Sequence, residues 1–172
     1  GRFNAFRGQS YRQGDSVIRA IFDVQAVQPE SDRLGRAEVL AMMGDWRLWH
    51  GKYSLAMEAY AEAIIELAPA ENAQENMQAL FGVPIPLPAL AGVRPLPERV
   101  PPERGDLLLT FTVDERGRVR DLARLDDSES NPGIANRIMR TLRGTTFRPR
   151  FDTGEPVPTT GIEWAYDTSL WQ

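Results

Sequence analysis

The chain has 172 residues, 42% of them hydrophobic, with 20 basic and 24 acidic side chains and a formal net charge of −4. That length can bury one sizeable core or two small ones, and the acidic balance argues against a general nucleic-acid binder, which carries a basic surplus. Cysteine is absent, so a disulfide framework and a thiolate metal site are excluded, and no apolar run approaches the ~18–20 residues that span a bilayer.

Apolar spacing predicts helices over 3–13 and 15–28, with Gly14 as the turn between them and Val17, Ala20, Ile21 and Val24 on one face before Pro29. Two further helices are predicted over 33–50 and 53–68, parted by Gly51-Lys52-Tyr53. In the second, Leu55, Ala56, Ala59, Tyr60, Ala63, Ile64 and Leu67 recur at intervals of three and four, the period of a buried helical face. Gly44 would let two antiparallel helices approach closely, and Pro69 ends the block. Residues 70–80 suggest a short capping helix. From 82 to 104 prolines at alternate positions deny both helix and sheet pairing, which predicts an extended, polyproline-like linker. Val83, Ile85, Leu87, Leu90, Val93 and Leu96 are nonetheless too apolar for a solvated spacer, so part of it should pack on a domain.

The last third changes period. Leu107, Leu109, Phe111 and Val113 alternate with Leu108, Thr110 and Thr112, the pattern of a strand over 106–114 with one buried face. Asp114-Glu-Arg-Gly117 supplies a tight turn into a second strand over 117–125. Asn131-Pro132 reads as N-cap and first-turn proline of a helix over 131–143, and Gly144 as its stop. Ile134, Ala135, Ile138, Met139 and Leu142 form its apolar stripe. A final strand is predicted over 158–167. On the second strand, Arg118, Arg120 and Arg124 are expected to share a face with Leu122, neutralised by the acidic turn Asp126-Asp-Ser-Glu129.

Phe111-Thr-Val-Asp114, Gly117-Arg-Val119, the helix, Phe147-Arg-Pro149, Gly154-Glu-Pro-Val157 and Gly161-Ile-Glu-Trp-Ala-Tyr166 follow in an order that resembles the C-terminal domain of the TonB family of periplasmic energy transducers. The resemblance covers Gly105 to Asp167. It departs from the family at the lead-in Val100-Pro-Pro-Glu-Arg-Gly105 and at the acidic turn. Gly44, Gly51-Lys-Tyr53, Ala56, Tyr60, Ala63 and Pro69 resemble one tetratricopeptide repeat. Gly8, Gly14-Asp15, Ala20 and Pro29 suggest a weaker preceding copy, near the ~34-residue period.

Catalytic chemistry finds no support in these residues. His50 is the sole histidine, and no second His or Cys could join it as ligand or base. The Asp126–Glu129 run lacks the ligand spacing of a calcium loop. Ser128, Ser130 and Thr145 have no activating His or Lys, and the glycines do not form a phosphate-cradling loop.

The expected fold is therefore an α+β two-part chain. Tetratricopeptide-like helical hairpins over 1–81 and a Pro-rich linker over 82–104 precede a TonB-like domain over 105–172, with a three-stranded antiparallel sheet and one packed helix. The expected function is non-enzymatic: a protein-interaction module without cofactor or metal, with no nucleic-acid partner and no direct membrane insertion by this stretch. The alternative is a helical-repeat scaffold in which the small sheet domain is only a structural cap. The TonB resemblance implies a periplasmic location, an inner-membrane anchor upstream, and recognition of extended segments of envelope proteins at a sheet edge. The edge candidates are Thr160, Gly161, Ile162, Glu163, Trp164, Ala165 and Tyr166, a set that leaves a homodimer through edge strands open. The repeat resemblance implies a concave groove at Asp45, Leu48 and Trp49. Either the tail Thr168–Gln172 or the Pro-rich linker could already cover the sheet edge.

Overall fold

Helices occupy the first part of the chain and the strands lie in the second. The computed structural model describes residues 2–28, 32–88, 95–126 and 131–170, with side chains from residue 8 onward. The architecture is mixed α+β, in two compact units, Gly1–Val83 and Pro84–Gln172. Within the described residues, no helix is long and apolar enough to cross a membrane.

The first unit contains α1 (Arg2–Ala26), α2 (Arg33–Trp49), α3 (Tyr53–Leu67) and α4 (Ala73–Phe81). The Asp32 carboxylate caps α2 by accepting the Gly35 N–H. At the other end Gly51 takes φ 73°, its N–H donates to Leu48 O, and that of Lys52 donates to Arg47 O. This paired closure needs a left-handed residue after the helix, hence glycine. Ala56, Ala59, Tyr60, Ala63 and Leu67 are fully buried along α3. Gly44 acts as the sequence predicts: a Cβ there would stand 2.3 Å from Tyr60 Cε1. The Tyr60 ring fills that space, its hydroxyl donates to Asp45 at 2.8 Å, and its edge meets buried Phe81 of α4 at 6.0 Å.

The expected break at Gly14 does not form. α1 runs unbroken through it, so the preceding copy of the helical hairpin is absent. Gly14 is instead a close-approach point, where a Cβ would lie 2.3 Å from Trp46 Cζ2. Trp46 Nε1 donates to Tyr11 O, and buried Arg47 bonds Asp15 at 2.7 Å. Small size, not turn geometry, is what α2 requires of residue 14.

The second unit contains β1 (Ile85–Pro86), β2 (Leu107–Val113), β3 (Val119–Arg124), α5 (Pro132–Gly144), β4 (Phe147–Arg148), β5 (Arg150–Asp152), β6 (Glu155–Val157) and β7 (Thr159–Tyr166). Three strands form an antiparallel sheet in the order β3-β2-β7, while β1 pairs with β4 and β5 with β6. Leu107, Leu109, Phe111 and Val113 are buried against Ala135, Ile138 and Leu142 of α5, with Phe147 and Tyr166 completing the core. The short strands were not predicted, because two or three residues carry no readable period.

The β2–β3 turn is held by Asp114, whose carboxylate accepts the N–H groups of Arg116 and Arg118, while Gly117 takes φ 75°. Beyond it the alternation slips. Asp121 has φ 51° at a register shift, which leaves Thr112 opposite Arg120 but Thr110 opposite Ala123, a bulge. The expected common face of Arg118, Arg120, Arg124 and Leu122 is thereby split. Val119 and Leu122 both pack on the core, Arg118 and Arg120 converge on Asp114, and Arg124 lies opposite buried Leu109 and bonds Asp126. Asp127, Ser128, Glu129 and Ser130 lie outside the described residues. Asn131 also differs from expectation: at φ 48° its side chain makes no cap and donates instead to Thr168 Oγ1.

Candidate functional site

β7 lies at the edge of the three-stranded sheet, with β2 on its inner side. Leu107, Leu109 and Phe111 face Tyr166, Trp164 and Ile162 across that ladder, so these three β7 side chains share the face that α5 covers. Glu163 and Ala165 point to the opposite face. Trp164 packs edge-on to Phe111 at 5.1 Å and beside Phe147 at 5.6 Å. Tyr166 is fully buried and Glu163 is exposed.

Gly161 interrupts the strand. The register advances by two residues on β2, from Phe111 to Val113, and by three on β7, from Ile162 to Thr159. Gly161 has φ 65°, which identifies a bulge that requires glycine for its backbone angle. A Cβ there would meet nothing within 4 Å in the chain itself, so within the chain it is the backbone angle that requires glycine.

The outer side of β7 is covered at one end. Val100 pairs antiparallel with Ala165, and its N–H donates to Ala165 O at 3.0 Å. Arg99 lies over the Trp164 ring, 4.5 Å from its centroid, and Leu96 packs on the core below. Gly105 brings the chain back so closely that a Cβ would stand 2.8 Å from the Ala165 Cβ. Both described stretches of the Pro-rich segment thus pack on the second unit: at its start, Leu87 N–H donates to Thr146 O. Leu90 and Val93 lie outside the described residues. Toward the Thr159 end, Thr160, Gly161 and Glu163 are exposed. Because Ala165 turns its carbonyl outward to Val100, alternation turns the main-chain groups of Glu163 outward as well.

Thr168, at the start of the tail, is tied elsewhere, and Trp171 and Gln172 lie outside the described residues. Thr168 donates its N–H to Asp106 Oδ1 at 2.7 Å and its hydroxyl to Asp106 Oδ2, which ties it to the start of β2. Burial alone would raise the Asp106 pKa, but these bonds from Thr168, helped by Arg124, hold the carboxyl below its ordinary value. Burial also works against the Asp114 charge, and the Arg118 N–H, the Arg120 guanidinium and the Arg116 N–H outweigh it, so that carboxyl too is held low. Sequence reasoning missed the Asp106–Thr168–Asn131 network, whose members are far apart in the chain and carry no local motif.

The structure places the residues expected to line a groove in the helical unit as follows. Asp45 accepts the Tyr60 hydroxyl, Leu48 is 6% exposed, and half-buried Trp49 lies in a cluster with Trp46, tilted at 5.6 Å, and His50, edge-on at 5.1 Å. His50 lies 5.4 Å from Tyr11 within this aromatic cluster. Among the described residues, no group of three or more His, Asp or Glu side chains converges as a metal site would require.

Comparison with protein-family models, with curated proteins and with solved structures gives no match for this chain.

Proposed function

We propose that this chain is a non-enzymatic protein-interaction module of the bacterial cell envelope, whose TonB-like second unit captures an extended peptide segment by adding it to the outer side of β7. The tetratricopeptide-like first unit is part of the same periplasmic assembly. The observation that carries this reading is the Val100–Ala165 pair: a segment in extended conformation already bonds the outer side of this strand. Strand addition supplies affinity through main-chain hydrogen bonds and selectivity through alternate side chains. The order of motifs from Phe111 to Tyr166 supports an envelope protein as the source of the segment. Glu163, the charged residue inside the strand, disfavours indiscriminate pairing of edges.

The test is amide hydrogen exchange on the full chain with a panel of synthetic ten-residue peptides from periplasmic loops and plug segments of envelope proteins. A binding peptide slows exchange at Glu163 by about tenfold or more while Ile162 and Trp164, which face β2, stay unchanged. Glu163→Pro withholds an outward N–H on an edge strand, where proline is tolerated, and abolishes that binding with the β2 ladder intact. If no peptide of the panel slows Glu163, the edge is not a capture site.

A further inference from the structure

Resting on the edge reading above, we propose that Pro95–Val100 is a displaceable strap. It is a segment of the chain itself that occupies the Ala165 end of the capture edge, and it must yield before a partner can pair along the whole of β7. Among the described residues, the Val100 N–H on Ala165 O, Arg99 over Trp164, and Leu96 against the core hold it. The strap is poorly equipped to make more. Pro95, Pro97, Pro101 and Pro102 have no N–H to give, and among the described residues Val100 supplies the strap donor that bonds β7. A partner strand free of proline could offer a donor at every second residue along the same edge.

A half-open groove of about 390 Å³, lined by Leu87, Leu96, Arg99, Thr145, Trp164 and Tyr166, also runs beside the strap, so the strap is not close-packed on that side. The buried Tyr166 Oη has no hydrogen-bond partner among the described residues. Leaving a buried hydroxyl unpaired disfavours the covered state, and release of the strap would let water satisfy it. Both features lower the cost of opening. The strap therefore acts as an internal competitor that sets a threshold for capture: weak or short segments are excluded, and segments that pair over several residues displace it.

The experiment uses the full chain and, as probe, a synthetic copy of Pro95–Arg104 supplied in trans. In the Arg99→Ala/Val100→Pro double variant the internal strap loses its ring contact and its edge donor, and the probe is expected to bind about tenfold or more tightly than to the unaltered chain. Amide shifts at Glu163 and Ala165 report the site, and unchanged exchange at Ile162 and Trp164 shows the β2–β7 ladder intact. Equal affinity for both proteins, or no binding by either with the ladder intact, overturns the strap. Should the double variant lose ladder protection, Arg99→Ala alone carries the test, with an expected gain of about threefold from the lost cation–π contact, and no gain overturns the proposal. Failure of every envelope peptide against the strap-weakened chain overturns the edge reading instead.

Discussion

At the scale of single residues, two glycines separate two physical reasons for having no side chain. Gly14 sits inside a helix at an ordinary helical position, where alanine would normally gain about 1 kcal/mol in propensity. Its missing Cβ makes room for the Trp46 indole, 2.3 Å from where that atom would be, and overpacking of this kind costs roughly 1–3 kcal/mol. Gly14→Ala is therefore expected to lower stability by about 1 kcal/mol despite better helix propensity. Gly161 has open space around it and φ 65°. Gly161→Ala should cost about 1 kcal/mol through backbone strain alone. Adding Trp46→Leu separates the two: it should relieve the loss at Gly14 and leave that at Gly161 unchanged, as read from urea unfolding midpoints. A Gly14→Ala chain as stable as the parent would show that α1 and α2 do not meet there.

At the scale of elements, the β2–β3 hairpin and the tail depend on two carboxylates. Asp114 gathers two backbone N–H groups and the guanidinium groups of Arg118 and Arg120, and Asp106 holds Thr168. Both folded-state pKa values lie below the ordinary carboxylate value. Their contribution to stability is fully present above about pH 4, where an unfolded carboxylate is ionised, and is lost as pH falls through the lower folded values. Urea midpoints taken from pH 6 down to pH 2 should therefore fall in acid. Asp114→Asn, which cannot serve both guanidinium groups as an anion, should flatten that fall. An unaltered acid slope in Asp114→Asn and Asp106→Asn together would show that these pairings do not contribute. This hairpin was legible because turn, glycine and alternation lie within a few residues. The split of its arginines was not, since the bulge at Asp121 depends on pairing with β2.

At the scale of the whole molecule, the second unit starts well before its sheet. β1 pairs with β4, Leu87 bonds Thr146, Leu96 joins the core and Val100 pairs with Ala165. A fragment spanning 84–172 should fold with the amide protection of the same residues in the full chain. One spanning 105–172 should be less stable by about 1 kcal/mol for each main-chain bond lost, plus the burial of Leu96. Chemical denaturation of the two fragments checks this, and equal midpoints would mean that the Pro-rich segment adds nothing to the fold. Apolar content in that segment had already signalled packing. Which strand it would meet was not readable, because proline spacing fixes an extended shape without fixing a partner.

By itself the sequence determined what short-range periodicity encodes. It specified the spans of α2, α3, α5, β2, β3 and β7, the turn at Asp114–Gly117, the buried face of β2 and the role of Gly44 in close helix approach. Within each of these, neighbouring residues report on one another, and the period of three to four or of two is the physical signature of one buried face. Only the tertiary structure decided that α1 continues through Gly14, that two-residue strands pair across the second unit, that Thr168 binds Asp106, and that Val100 takes the outer side of β7. Each of these is set by a group distant in the chain: Trp46 for Gly14, Thr146 and Arg148 for the segment after Pro84, and Ala165 for Val100. A local pattern can show that a residue is small, extended or apolar, but the identity of what it meets is fixed only when the chain has folded.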